Sequence, residues 1–555
     1  MRILVPEWFQ SPGFNLGLSS TMDLRSKRLE PILFFLLYVA VGSIFLGVLT
    51  DWVSFAVDEG FTSYGAQRLR EGEWPHRDFF FLWTPGILVW HAFLQELGFS
   101  WLGERASALV AAAFTGALLL RQAHDWNFRA TQRALLALGI LLWGFSLWNI
   151  PYSSWYALPF ALLGARLGPT RSILAGLCLA AAFWFKQNIG ILACVGSLSA
   201  LYLAGEKKKA WRVGMLFALG LAIPFAAIFI FGGEVAFTRA FSQIFLFPLR
   251  YPALMSEWPQ RQWFASPLML FGLWILGLFS LRPNLVGGAP RLLRIALVLF
   301  LGYAAFFGGQ IFFLGSFLLF SCLAWGLSLG VALTLPAEEK KSFWLYFLPA
   351  LGAFLQVFPR VDFQHFLFVF PPAFILWIWS IEKLRLRYPW LRGGLLFIPI
   401  LVLLWGGFFF QSRLISLRAY GVKDSLGMIS YGWAHRMNNE LAEVIHALEA
   451  RGLKRGDPIL VLPNATSFYR VSGFRNPTAH NQFFPGYVEA FGESPVEVLA
   501  GYEKAGGRYL VWQYKSGLKN PPAIEKEISE NYRMLEQFPE HFSVWERKTA
   551  QAPIH

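Results

Sequence analysis

Residues 31 to 49 read PILFFLLYVAVGSIFLGVL, without a charged residue from end to end. As an α-helix the run rises about 28 Å, close to the hydrocarbon thickness of a bilayer, so it predicts a membrane span. Arg25, Lys27 and Arg28 precede it, as in a secretory leader, but the run is long and no small-residue cleavage site stands before Asp51. It is expected to remain as an uncleaved first span.

Similar runs recur at roughly 104–121, 134–150, 152–168, 171–186, 189–205, 211–232, 266–281, 294–308, 311–335, 343–358, 363–381 and 393–411. With the first they make about thirteen transmembrane helices. Across the 555 residues 55% are hydrophobic and only 15% charged, too few charges to solvate a soluble chain of this size. The fold class expected is a polytopic α-helical membrane protein. Lys and Arg give its orientation, because positive loops stay cytoplasmic: with the N-terminus inside, the inner loops hold 22 of them and the outer loops 9. The net charge of +14 is then a topology signal with a basic tail. No basic and aromatic stripe accompanies it, so membrane lipids are expected as partners and nucleic acid is not.

Two outer loops are long, 51–103 and 233–265, and the membrane part is expected to span 1–411. From 412 to 555 the composition turns soluble, with turn signals and mixed charge. Helical periodicity near 438–449, 496–504 and 523–531 alternates with strand patterns at 458–462, 508–513 and 542–546. These predict a small extracytoplasmic α/β domain of roughly 140 residues, within the usual domain range. It carries no glycine-rich phosphate loop and no triad-like cluster. NATS at 464–467 fits an N-glycosylation pattern that short sequences often reach by chance. Cys178, Cys194 and Cys322 all lie in apolar runs and read as core residues.

The first long loop concentrates chemistry: VDEGFTSYGAQRLREGEWPHRDFFFLWTPG, residues 57 to 86. Asp58 and Glu59 open a helical stretch, where an acid can cap the helix and favour its dipole. A carboxylate at that boundary can also take a proton from an incoming hydroxyl, or hold a divalent cation through its oxygens. Asp78 is a second acid, placed to fold back toward Asp58 across a hairpin of two surface helices. Together they form a candidate catalytic pair and a candidate metal site. Phe79, Phe80, Phe81 and Trp83 are expected to anchor at the membrane interface, and 87–97 to form a helix lying along it. Glu71, Glu73 and Arg77 also fit a solvated loop face.

Lys186, Arg250 and Arg360 stand at outer positions against the positive-inside trend. Arg grips phosphate oxygens with two parallel donors and Lys acts as a point charge, so the three form a candidate phosphate site; lipid headgroups or snorkelling would use them equally well. Asp362 is placed to cap a helix and His365 to hydrogen-bond within the bundle, or the two shape a polar pocket.

The order of these motifs resembles the bacterial GT-C glycosyltransferases, a superfamily that includes protein O-mannosyltransferases and the aminoarabinose transferase that modifies lipid A. The residues that carry the likeness are DEG at 58–60, Gly72-Glu73, RDFFF, Pro85-Gly86, FPLRYPALMSEWP at 247–259, FPRVDFQH at 358–365 and FYRVSGFRNPT at 468–478. The resemblance implies a bacterial inner-membrane enzyme that moves a sugar from a polyprenyl-phosphate donor to a lipid, glycan or protein acceptor on the outer face. It puts the catalytic carboxylate at Asp58, with Glu59 orienting it. Arg77, Gln187, Tyr251, Asp362 and His365 are then the expected lining of the sugar or acceptor pocket. Where aminoarabinose transferases carry an acid and a Lys before the matching Pro, this chain has Trp83 and Thr84.

The donor's leaving phosphate is already a good one, so the chemistry needs a base and a cationic clamp and no acid. A single displacement with one base inverts the sugar. A divalent cation is compatible with this scheme and not required by it. A transporter or flippase of polyprenyl-linked lipids would need similar cations but also polar or broken helices at the bilayer midplane. A scaffold protein would lose nothing on Asp58→Asn.

Overall fold

The computed structural model describes residues 18–49, 58–249, 324–357, 363–387, 392–483, 486–514 and 521–548. Arg250, Tyr251, Arg360, Asp362 and the expected spans at 266–281 and 294–308 lie outside them. Helices dominate up to residue 420: α1 (Leu18–Ser43), α2 (Gly60–Arg70), α3 (Gly86–Glu96), α4 (Trp101–Asp125), α5 (Ala130–Leu142), α6 (Ser153–Leu167), α7 (Ser172–Phe185), α8 (Gln187–Leu203) and α9 (Lys207–Phe241). After them come α10 (Ala324–Leu333), α11 (Ala337–Phe354), α12 (Phe363–Arg387) and α13 (Arg392–Tyr420).

Among the described residues three helices are long and apolar enough to cross a membrane, at Trp101–Asp125, Lys207–Leu249 and Leu367–Leu384; five shorter apolar helices accompany them. Their outer surfaces suit that setting. Trp211, Met215, Leu219 and Ile223 form an exposed apolar stripe along α9 at a spacing of four residues. At Gly233 a positive φ of 79° breaks α9, where the sequence places the start of the second long loop. A side chain there would be strained, which is why glycine occupies it.

The helix expected at 134–150 ends early, at Leu142. A Cβ on Gly144 would overlap the Tyr38 hydroxyl, and that hydroxyl accepts from the Phe145 amide at 2.7 Å. Asn149 Nδ2 donates to the carbonyls of Phe45 and Val48, in the turn and strand that follow α1. The segment 143–150 is therefore irregular but packed, with Trp143, Phe145, Leu147 and Ile150 all buried.

α13 runs through the expected boundary at 412 to Tyr420. Beyond it β2 (Val422–Lys423) and β3 (Ile429–Ser430) form a small sheet with β1 (Val48–Leu49), β1 and β3 running parallel and tying the end of the first helix to the tail. α14 (Gly432–Ala450) and β4 (Leu460–Leu462) follow, then α15 (Ser467–Ser472), α16 (Tyr487–Phe491), α17 (Pro495–Lys504), β5 (Tyr509–Gln513), α18 (Pro522–Asn531), β6 (Tyr532–Gln537) and β7 (Phe542–Arg547). The main sheet has the order β4-β5-β7-β6, parallel between β4 and β5 and antiparallel elsewhere. The three helices and three strands read from the sequence recur in that order, with β2, β3, β6 and the two short helices α15 and α16 added.

Candidate functional site

Asp58 is half-buried and stands just before α2, with its carbonyl accepting from Thr62 Oγ1 at 3.3 Å. Gly60, two residues on, lies against the backbone of Ser467: a Cβ there would overlap the Ser467 nitrogen. The DEG segment is thus in contact with the tail domain, and the glycine is what permits the approach. Asn464, Thr466 and Ser467 of NATS are buried at this junction, with Asn464 Oδ1 and Ser467 Oγ lacking hydrogen-bond partners among the described residues. A buried Asn464 is no glycosylation site. NATS is a wall of the junction.

Glu59 does not reach toward Asp58. Both its oxygens accept from Arg105 of α4, at 2.7 Å from Nε and 2.6 Å from Nη2, and both side chains are buried. Arg105 Nη1 also donates to Leu46 O and Val48 O, and its guanidinium lies over the Trp101 ring at 4.7 Å. Burial pushes the Glu59 carboxyl up and the Arg105 pair opposes it. Glu59 positions the loop against α1 and α4.

Asp78 does not converge with Asp58. It lies by the C-terminal half of α2, where Arg68 Nη2 approaches its carbonyl at 3.4 Å, while Asp58 is at the helix start. Eleven residues of helix, about 16 Å, separate the two ends. The Asp78 carboxylate accepts from Arg77 Nε and Nη2 and from the Trp74 amide at 2.7 Å, closing a tight turn. Burial alone would raise its pKa, but Arg77 and the Trp74 N–H outweigh it and hold the carboxyl below its ordinary range. A divalent cation shared by Asp58 and Asp78 does not fit this arrangement, because a guanidinium already occupies Asp78 and the helix holds the acids apart. Among the described residues no group of three or more His, Cys, Asp or Glu side chains could hold a metal.

The aromatic run is not an interfacial anchor. Phe79, Phe80 and Phe81 are buried: Phe79 under the Arg68 guanidinium, Phe80 against Tyr487 and Phe247, and Phe81 stacked on Phe61 beside Trp83. α2 covers Phe79 and Phe81, and the tail covers Phe80. Phe80 N donates to Ala479 O, Tyr64 stacks on Tyr469 at 4.7 Å, and the Tyr64 hydroxyl accepts from the Asn476 amide. Arg68 bonds Thr478 O and Asn481 Oδ1 at 2.9 and 2.8 Å, and Arg470 reaches Glu104 of α4. The FYRVSGFRNPT segment therefore docks on α2 and the loop that follows it. Arg68, Arg105, Glu104 and Arg470 were not singled out from the sequence, and only their charge inside apolar surroundings signals them.

His76, with a positive φ of 68°, is also buried, its Nδ1 bonded to Gln243 at 2.7 Å. Burial pulls its pKa down to about 4.

Behind the loop lies a second polar cluster. Lys186 is the single residue between α7 and α8, where extended backbone turns the chain sharply and packs Gly190 onto Phe183. The lysine is buried, with Nζ donating to Ser154 Oγ at 2.7 Å and Gln356 Oε1 at 3.2 Å and lying 4.7 Å from the Tyr152 ring centre. Tyr152 packs against Trp83 and shares a 3.4 Å contact with His365 Nε2. Gln187 Nε2 donates to Leu82 O, and Thr84 Oγ1 donates to Phe183 O. Gly86 sits so close to the Trp184 carbonyl that a Cβ would overlap it. Lys186, Gln187 and His365 are thus brought together beside residues 82–86, at the same end of the bundle as Asp58.

No family model matches the chain, and comparison with curated proteins finds no significant match.

Proposed function

We propose that the chain is an inverting membrane glycosyltransferase of the GT-C kind, using a polyprenyl-phosphate sugar as donor. The observation that supports it most is convergence: the loop with Asp58, the Lys186 cluster and the 468–478 segment gather at one end of the helical bundle, although the sequence scatters them. In this reading the bundle completes about thirteen spans in a bacterial inner membrane, with the N-terminus inside and the tail domain outside.

Asp58 removes the proton from an acceptor hydroxyl as that oxygen attacks the anomeric carbon. The bond from that carbon to phosphate oxygen breaks, and polyprenyl phosphate leaves with the electron pair. Lys186 supplies positive charge near the leaving group, desolvated and therefore stronger than at a surface. Arg250 and Arg360 complete the clamp, and Gln187, Tyr251, Asp362 and His365 line the sugar pocket. Arg77 and Asp78, away from Asp58, serve the acceptor. No step passes through a metal.

The test is transfer by the purified chain from a panel of polyprenyl-phosphate sugars. Asp58→Asn is expected to lower turnover by at least about a hundredfold, the usual scale for a lost general base, while donor binding persists. Sugar transfer that survives Asp58→Asn would overturn the mechanism.

A further inference from the structure

Between the first outer loop and the tail domain opens a cleft of about 640 Å³, in the range of small-ligand sites. Its rim carries Gln67, Glu71, Glu73, Arg77, Asp78 and Arg475. The charges in it are matched. Glu73 lies between Arg68, 2.5 Å away, and Arg475, 3.0 Å away, and Asp78 is gripped by Arg77. Three carboxylates and two guanidiniums thus line the cleft, with the Arg68 guanidinium buried behind Glu73 to balance them, and Glu71 accepts from Gln67 Nε2 at 2.9 Å.

This balance narrows the ligand. An anion would meet Glu71, Glu73 and Asp78, a cation would meet the arginines, and neither finds an excess to neutralise. The aromatic rings in the wall, Tyr64 and Phe474, are buried, so no broad apolar floor awaits a lipid chain. What remains is a neutral ligand rich in hydroxyl groups, each of which can donate to a carboxylate and accept from a guanidinium. The wall is open at Gly72 and Gly456, where nothing lies within 4 Å of an added Cβ. α2 links the cleft to Asp58: Gln67 is nine residues from it and Glu71 thirteen, roughly 13 and 20 Å along the axis.

We infer that this cleft binds a neutral oligosaccharide and that the acceptor is a glycan, held there by inner sugar units while its end reaches Asp58. The acceptor role rests on the glycosyl-transfer reading; the binding site does not.

The full chain in detergent is tested on an array of neutral oligosaccharides, uronate-containing oligosaccharides and peptides, with affinities then titrated in solution. Saturable binding of neutral oligosaccharides is expected, weakened about tenfold by Gln67→Ala and by Glu71→Gln, each of which removes a rim hydrogen bond without emptying a buried site. Arg475→Ala is a third rim variant with the same expectation. Binding confined to uronates or peptides, or neutral-glycan binding indifferent to all three changes, overturns the inference. Transfer to a lipid or peptide without glycan binding sinks the cleft and leaves the transferase; glycan binding without any transfer from polyprenyl-phosphate sugars does the reverse.

Discussion

Gly60 shows how much one residue decides. Its missing side chain lets the backbone at Ser467 rest beside the DEG segment, so Gly60→Ala must push the two apart. Overpacking of this kind costs about 1–3 kcal/mol, and here it would fall on the junction next to Asp58. A lower melting temperature in detergent is expected, with sugar transfer reduced more than donor binding; an unchanged melting temperature would show that the junction yields freely. His76 gives a second handle. Its folded pKa of about 4 lies below the ordinary 6.5, so the unfolded chain binds the extra proton first. The stability it contributes is complete above about pH 6.5 and is lost as the pH falls through 4. Thermal unfolding followed across that window should be less acid-sensitive in His76→Asn, and an identical pH profile would rule the histidine out as the sensor.

At the scale of elements, the Glu59–Arg105 pair joins the start of α2, the segment from α1 into β1 and the start of α4 in one buried contact. Removing only the cation leaves a carboxylate in a site with little water. Arg105→Met is expected to destabilise the chain by about 3–5 kcal/mol, measured by denaturation in detergent. The double variant Arg105→Met with Glu59→Gln should recover part of that loss; no recovery would mean that Arg105 acts through the Leu46 and Val48 carbonyls instead. The pair was only half legible in the sequence. Glu59 stood out beside Asp58, but nothing local marks Arg105 as its partner. The same holds for the aromatic run, since Phe79 to Phe81 look like membrane anchors until Arg68 and Phe61 of α2 cover Phe79 and Phe81, and Tyr487, far along the chain in the tail, covers Phe80. Burial by a distant element leaves no local pattern. Periodicity, by contrast, did reveal α3, α7, α8 and the order of the tail domain, because those depend on nearest neighbours along the chain.

For the whole molecule, the sequence exposed the greasy bundle, the polar first loop and the mixed tail as separate features, and the folded chain joins them through Gly60, Tyr64, Arg68 and Arg470. The early end of α5 belongs to this scale too, since Tyr38 and the carbonyls of Phe45 and Val48 claim the residues that would have continued it. Val89, Phe93 and Leu97 stand exposed at every fourth residue from α3, whose first residue Gly86 is wedged on the Trp184 carbonyl beside Lys186. If the bundle sits in a membrane as proposed, that stripe would lie at the headgroup boundary. A thinner or thicker bilayer would then press on α3 and, through Gly86, on the loop that carries Asp58, so acyl-chain length would bear on the geometry of the proposed site.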